Sequence, residues 1–209
     1  MSLKAAKEEK TDPWVIRTRA LLGQAFIEVI SKKGFQAVSV QDITQRAGVN
    51  RTTFYLHFAD KYALLDYTLS DYFRQEMDQR LAHADRFTPA NLRCLIVAVG
   101  EFILHANAYC TPAEPQFESL VEAQVKPPLQ RRLQRWLSQA DSGRGAGAAK
   151  AGTAADPVID TAAASTAAAW AMYGLALQWS HAKKRSSAEA FADGIFPLIA
   201  SMLGLRPPA

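Results

Sequence analysis

The stretch Val49–Lys61, VNRTTFYLHFADK, sets hydroxyl and cationic side chains around two phenylalanines. At about 100° per residue, Phe54 and Phe58 lie one turn apart on one side of a helix. A second sector, about 140° wide, holds Arg51, Thr52, Tyr55 and Leu56. The pattern predicts a short helix, from about Arg51 to Phe58, whose two rings anchor it in a core and whose polar face points outward.

Two more helices are predicted directly before this one. Apolar side chains recur at helical spacing in residues 14–33, and Gly34 ends that helix where a positive φ costs least in glycine. In SVQDITQRAG, Ser39 is an N-cap, Asp42 completes a box-like pattern and Gly48 ends the helix. Three short helices, the last two joined by a tight turn, form a helix-turn-helix pattern. In that motif the second helix of the pair lies in the DNA major groove.

The residue types of the third helix suit contacts with DNA. Arg51 can donate two hydrogen bonds to guanine O6 and N7, and Thr52 offers a hydroxyl and a methyl to a base edge. The candidate donors to phosphate oxygens are Thr53, Tyr55, His57 and Lys61. The first turn of the second helix, Ser39 to Gln41, can offer backbone N–H groups to a phosphate. Arg51 could instead contact the DNA backbone, Tyr55 could close a core edge, and His57 could be a plain surface residue.

Positive charge is concentrated in the same part of the chain. Residues 1–61 contain ten Lys and Arg against six Asp and Glu, a net charge of +4, while residues 62–209 contain fourteen of each. This asymmetry favours a polyanionic partner for the N-terminal third, although four charges can also be a solubilising surface.

Residues 17–66 follow the pattern A…F…KKGF…VSVQDITQRAGVNRTTFYLHFADKYALL. This pattern resembles the DNA-binding domain of the TetR family of bacterial transcriptional repressors. The resemblance implies base contacts for Arg51 and Thr52, with Gln41 and Asn50 as further candidates. It implies phosphate contacts for Ser39, Thr53, Tyr55, His57 and Lys61. For the whole protein it implies a cytoplasmic homodimer that binds double-stranded DNA at a palindromic operator and is released by a small molecule.

The predicted fold is all-α, with about nine helices. Residues 1–13 are predicted as a flexible arm, 14–60 as the helix-turn-helix domain, and 61–209 as a helical regulatory and dimerisation domain. The helices predicted in this second domain cover about residues 59–87, 90–108, 114–124, 127–140, 158–184 and 187–203. Residues 142–157 contain almost only small side chains and are predicted as a flexible loop.

The last two predicted helices, 158–184 and 187–203, carry more apolar surface than one small domain can cover and contain many small residues. They predict a four-helix interface with a second copy of the chain. A two-fold dimer also suits DNA, because two recognition helices must reach half-sites about one helical turn apart.

A ligand pocket in the second domain is suggested by the family pattern. The candidate lining residues are Phe73, Met77, Phe102, His105, Tyr109, Trp170 and Tyr173, which favour a small apolar or aromatic ligand. Aromatic stripes are more often plain core, and His105 is more often a satisfied core histidine. A regulator of the same fold without an inducer, controlled by a protein partner or by its abundance, is the alternative.

Other classes of function lack their motifs in the sequence. There is no Gly-rich phosphate loop, HExxH or GxSxG, so an enzyme is not expected. The four histidines have no metal-ligand spacing, and no cofactor is predicted. Cys94 and Cys110 form no CxxC pattern and are expected to stay reduced. The sequence has neither a run of 18 apolar residues nor a stretch typical of a signal peptide, so no membrane location is predicted.

Overall fold

The computed structural model describes residues 12–82, 84–108, 115–144 and 160–205. Within these ranges all regular structure is α-helical, which confirms the predicted fold class. The helices are α1 (Pro13–Lys33), α2 (Val40–Ala47), α3 (Arg51–His57), α4 (Lys61–Leu81), α5 (Pro89–Ala108), α6 (Pro115–Arg144), α7 (Thr161–His181) and α8 (Ala188–Met202).

The chain divides into two compact units. The first contains the residues up to Asp71 together with Asn107–Phe117, and the second contains Tyr72–Ala106 and the residues from Glu118 onward. The division therefore lies within α4, whereas the sequence placed a domain boundary before that helix.

The first unit is built from helices whose ends are fixed by local chemistry. Asp12 caps α1 by accepting a hydrogen bond from Trp14 N at 2.9 Å, and Pro13 stands at the first helical position. Gly34 (φ 73°) and Gly48 (φ 68°) end α1 and α2 in backbone regions that L side chains rarely adopt. Apart from these first capping residues, the arm predicted for residues 1–13 lies outside the described residues.

Apolar side chains from all three helices form the core of this unit. Those with at most 2% exposure include Leu22, Phe26 and Ile30 of α1, Ile43 of α2 and Phe54 of α3. Burial of each such side chain contributes about 1.5–3 kcal/mol. Because α3 is too short to be stable alone, this packing and its caps hold it in place.

Helix α5 is the central core helix of the second unit. Its buried face includes Leu92, Leu95 and Phe102, each 0% exposed. Among the described residues it is the one helix long and apolar enough to cross a membrane, and 56% of its apolar window is buried inside the unit. That burial is typical of a core helix. Arg93 joins α5 to α8 through a bidentate pair with Asp193 (2.5 and 2.9 Å), and Trp179 of α7 stacks on Phe191 of α8.

The two helices predicted over residues 114–124 and 127–140 are wrong, because the structure has the single helix α6, which reduces the described count to eight. Pro127 and Pro128 lie inside it, where a proline costs about 3 kcal/mol. A buried stripe continues across them, with Val125 and Leu129 at 0% and 1% exposure. Burial of this stripe offsets the backbone cost.

Three other predicted boundaries move. The helix predicted over residues 59–87 ends at Leu81, and α6 continues into the first residues of the predicted loop 142–157. Residues 145–159 lie outside the described residues. The helix predicted from Val158 begins at Thr161, with Asp160 as its N-cap.

Candidate nucleic-acid interface

Helix α3 presents one continuous exposed face. Phe54 is fully buried and Phe58, directly after the helix, is 6% exposed, with their rings 6.0 Å apart. The rest of the helix surface carries the exposed residues Arg51, Thr52, Tyr55 (51%) and Leu56 (72%). The rings therefore orient the helix, and the predicted polar sector faces solvent. Leu56 fell within this sector but received no role from sequence.

Asn50 fixes the start of α3. Its Oδ1 accepts hydrogen bonds from the Thr53 amide at 2.7 Å and from the Thr53 hydroxyl at 3.0 Å. The Thr53 hydroxyl proton is thereby engaged within the chain, so donation to a phosphate requires this bond to break. The Nδ2 group of Asn50 makes no hydrogen bond within the described residues, and it is the end of the side chain that can reach DNA.

The first turn of α2 is closed by a capping box. The Asp42 amide donates to Ser39 Oγ at 3.2 Å, while the Ser39 amide and hydroxyl donate to Asp42 Oδ2 at 3.0 and 2.7 Å. Hydrogen bonds from Lys33 and Ser39 lower the pKa of Asp42 to about 2, which keeps the carboxylate charged. The Ser39 side chain is thus used as a cap. The amides of Val40 and Gln41 are the first-turn donors without intrahelical partners.

Lys61 ties the α1–α2 connection to α4. Its Nζ donates to the backbone carbonyls of Phe35, Gln36 and Val38 at 3.1, 3.2 and 3.0 Å, and it lies 4.7 Å from the Phe35 ring centroid. An ammonium has three N–H donors, and these three bonds engage all of them. The contacts position the loop before α2. From sequence, Lys61 was predicted to contact a phosphate, and these contacts with backbone carbonyls were not predicted.

His57 packs against the start of α1. Its ring centroid lies 5.5 Å from that of Trp14, and its Nε2 is buried. A phosphate contact through this atom requires the Trp14 contact to open. Among the residues proposed from sequence, Arg51, Thr52 and Tyr55 are therefore the ones already exposed and aligned on one face.

The described residues that were predicted to line a ligand pocket differ in their burial. Phe73 and Met77 of α4 and Phe102 of α5 are buried, with the Phe73 and Phe102 rings 4.9 Å apart. His105 is exposed, and its Nδ1 lies 2.9 Å from the Glu101 carbonyl. Tyr109 lies outside the described residues.

The two remaining pocket candidates belong to α7. Trp170 is 58% exposed and lies over Lys126, whose Nζ is 3.4 Å from the indole centroid. Tyr173 is 5% exposed, and burial raises the pKa of its hydroxyl to about 12. The acidic neighbours Glu122 and Glu118 act in the same direction.

An open cleft of about 520 Å³ lies elsewhere in the second unit, between the end of α4 and α6. Its lining residues are Asp78, Leu81, Ala82, Ala84, Asp85, Arg132, Arg135, Trp136 and Gln139. Trp136 is buried and donates from Nε1 to the Ala84 carbonyl at 2.9 Å. Burial, and secondarily the charge of Arg135, lowers the pKa of Arg132. The sequence gave no signal of this cleft.

The last two helices each expose a stripe of small side chains. The stripe on α7 includes the exposed residues Ala163, Ala167 and Gly174 beside the larger Trp170 and Gln178, and the stripe on α8 includes Ala190, Gly194, Pro197 and Ser201 beside the larger Leu198. A Cβ added at Gly174 or Gly194 meets no atom within 4 Å. Small residues on both stripes allow another helix to approach closely.

The chain resembles known proteins in sequence and in fold. Residues 24–68 match the sequence model of the family described as "Bacterial regulatory proteins, tetR family". Two Bacillus subtilis (strain 168) proteins, the uncharacterized HTH-type transcriptional regulators YxbF and YvdT, are 40% identical over 60 residues and 43% identical over 56. The matched segments cover 28% and 27% of this chain, and 16% and 29% of those relatives.

A solved structure extends the likeness to most of the chain. The transcriptional regulator FadR from Bacillus subtilis, in complex with stearoyl-CoA, has a TM-score of 0.62 at 16% identity. The match covers 88% of this chain and 98% of that one, and at this identity it shows the fold. The fold and the exposed face of α3 define a helix-turn-helix protein with a helical second domain. Over residues 24–68 the chain resembles the TetR family of bacterial regulatory proteins.

Proposed function

We propose that this chain is a TetR-type transcriptional regulator that binds a near-palindromic operator in double-stranded DNA as a homodimer and represses transcription until a small molecule releases it. The observation that supports this proposal is the surface of α3, where Arg51, Thr52 and Tyr55 are exposed while Phe54 is buried. A short helix anchored in this way and flanked by a second capped helix is the geometry with which helix-turn-helix proteins enter the major groove.

DNA docking follows from these positions. With α3 in the groove, Arg51 donates two hydrogen bonds to a guanine, and Thr52 and the Asn50 amide reach neighbouring base edges. Tyr55 and the first-turn amides of Val40 and Gln41 donate to phosphates and set the register. Gln41 adds a side-chain amide beside that phosphate.

Homodimerisation through α7 and α8 is supported by their exposed stripes of small residues. Trp170 and Leu198 expose 58% and 49% of their surface on these stripes, and contact with a second copy would remove that apolar area from water. Two copies would present two α3 helices to two half-sites, which suits a near-palindromic operator.

Release by a small molecule has support from the fold, since the FadR of similar fold was solved with stearoyl-CoA. Two regions of the second unit are candidates for the ligand site. The Phe73 and Phe102 cluster is apolar but closed, so a ligand would have to separate its rings. The Arg132 cleft is open and charged. The closed packing of the first region favours the alternative, a regulator of this fold without an inducer.

Selection of DNA from a random pool by the purified full chain tests the DNA-binding proposal. We expect an enriched near-palindrome with half-sites about one helical turn, roughly 10 base pairs, apart. The logarithm of the affinity should fall linearly with the logarithm of salt concentration, because phosphate contacts release counterions. If every duplex bound equally at every salt concentration, the assignment of α3 as a sequence reader would be wrong.

Displacement of the selected operator tests the proposed release. A panel of acyl-CoA thioesters, fatty acids, phenols and aromatic acids is titrated against the protein–DNA complex. We expect one class of compound to release the DNA. Loss of this release in Phe102→Leu would indicate a site in the apolar cluster, and its loss in Arg132→Gln would indicate a site in the cleft. Since neither residue belongs to the DNA-binding unit, both variants should bind operator normally without ligand. Failure of every compound to displace DNA favours control by abundance or by a protein partner.

A further inference from the structure

Leu56 is the large apolar side chain with the greatest exposure among the described residues, at 72%. On α3 it projects about 180° away from the midpoint of Phe54 and Phe58, the two rings that anchor the helix. Leu56 therefore lies at the point of the exposed face that is furthest from the core. Exposed leucines scattered singly are common and need no special explanation. This one is flanked on the same face by Thr52 and Tyr55, which are also exposed.

The position determines what Leu56 can recognise. If α3 enters the major groove with the face opposite its core, Leu56 reaches furthest towards the base edges. In that groove adenine, guanine and cytosine present hydrogen-bonding groups, whereas thymine also presents an apolar C5 methyl. The leucine side chain has no hydrogen-bonding group, so it can discriminate through apolar contact and steric fit alone.

We propose that Leu56 is a specificity-determining residue that packs against the C5 methyl of one thymine in each half-site. The inference rests on the proposed DNA-binding function and adds a base preference to it. Arg51 and Thr52 read hydrogen-bonding edges, and Leu56 reads a methyl group on the same helix face. Each half-site should accordingly contain a thymine close to the base pairs that Arg51 and Thr52 contact.

The test replaces each operator thymine in turn by deoxyuridine, which removes the C5 methyl and leaves base pairing unchanged. Binding of the full-length protein is measured by fluorescence anisotropy on the selected operator. At one thymine position we expect about fourfold weaker binding per half-site, the size of burying one methyl group. The Leu56→Ala variant should bind the unmodified operator more weakly and should show no penalty at that same position.

Leu21→Ala is the matched control, because Leu21 is another exposed leucine (44%) and lies on α1. It should retain the full deoxyuridine penalty. Circular dichroism should show Leu56→Ala folded, since the truncated side chain is largely in solvent. A deoxyuridine profile identical in the wild type and Leu56→Ala would overturn this inference while leaving DNA binding intact. If the wild type selected no operator at all, the proposed function would fail, and this inference with it.

Discussion

Gly174→Arg is expected to break the proposed dimer into monomers and to weaken operator binding by about 10²–10⁴-fold, the avidity that two linked half-site contacts provide. Gly174 lies on the exposed stripe of α7, and open space surrounds the position of an added Cβ. The arginine therefore fits the single chain without strain. In a close helix–helix interface, however, it would bring two charged side chains, one from each copy, into a dry contact.

The folded state of the variant can be checked independently. Glycine in a helix interior costs about 1 kcal/mol relative to alanine, so replacement by a good helix former should leave the melting temperature of the isolated chain unchanged or raised. Light scattering after size exclusion gives the mass, and anisotropy gives the operator affinity. Ala123→Arg places the same charge on an exposed position of α6 and should remain dimeric. A Gly174→Arg protein that stayed dimeric would place the interface elsewhere.

The helix-turn-helix unit was predictable from sequence because its signals are local. Ser39 and Asp42 close a capping box within four residues, and Gly34 and Gly48 adopt the positive φ angles that the turns require. Phe54 and Phe58 define the buried side of α3 through their spacing alone. Each of these features depends on neighbours one turn away, which a sequence displays directly.

Features that depend on distant residues were not predictable in the same way. Lys61 donates to carbonyls 23 to 26 residues earlier. Because every residue has a backbone carbonyl, the residue types do not show which carbonyls accept these bonds. His57 meets Trp14 across the unit, so its availability to phosphate depends on tertiary packing. Proline signals a helix break locally, yet Pro127 and Pro128 are tolerated because burial along α6 outweighs them.

The residues predicted to line a ligand pocket show a further limit of sequence patterns. Aromatic and apolar residues at helical spacing mark a buried face, but the same spacing serves both a packed core and a cavity wall. Phe73 and Phe102 are in mutual contact, whereas the cleft is lined by Arg132 and other charged side chains, which show no such apolar pattern. Only the three-dimensional arrangement separates these cases.

Arg51→Ala is expected to cost about 1–3 kcal/mol of operator affinity, roughly 5- to 150-fold, and to relax the preference at one base pair in each half-site. Arg51 is the first residue of α3, is exposed, and makes no ion pair or hydrogen bond to a side chain among the described residues. Its guanidinium is therefore available for DNA without first breaking a contact within the protein. Two parallel hydrogen bonds to guanine O6 and N7 account for both the size of the loss and its confinement to one position.

Binding to a set of operators that vary at every position separates base reading from charge. Arg51→Lys keeps the positive charge but lacks the planar pair of donors, so it should retain the salt dependence and lose most of the guanine preference. Tyr55→Phe removes a phosphate donor and should weaken all sequences evenly. If Arg51→Ala instead weakened every sequence equally, Arg51 would be a backbone contact, and base reading would fall to Thr52, Asn50 and Leu56. Because Thr52 presents a hydroxyl, Asn50 an amide and Leu56 an apolar side chain, the operator would then be selected by weaker contacts and would tolerate more substitutions.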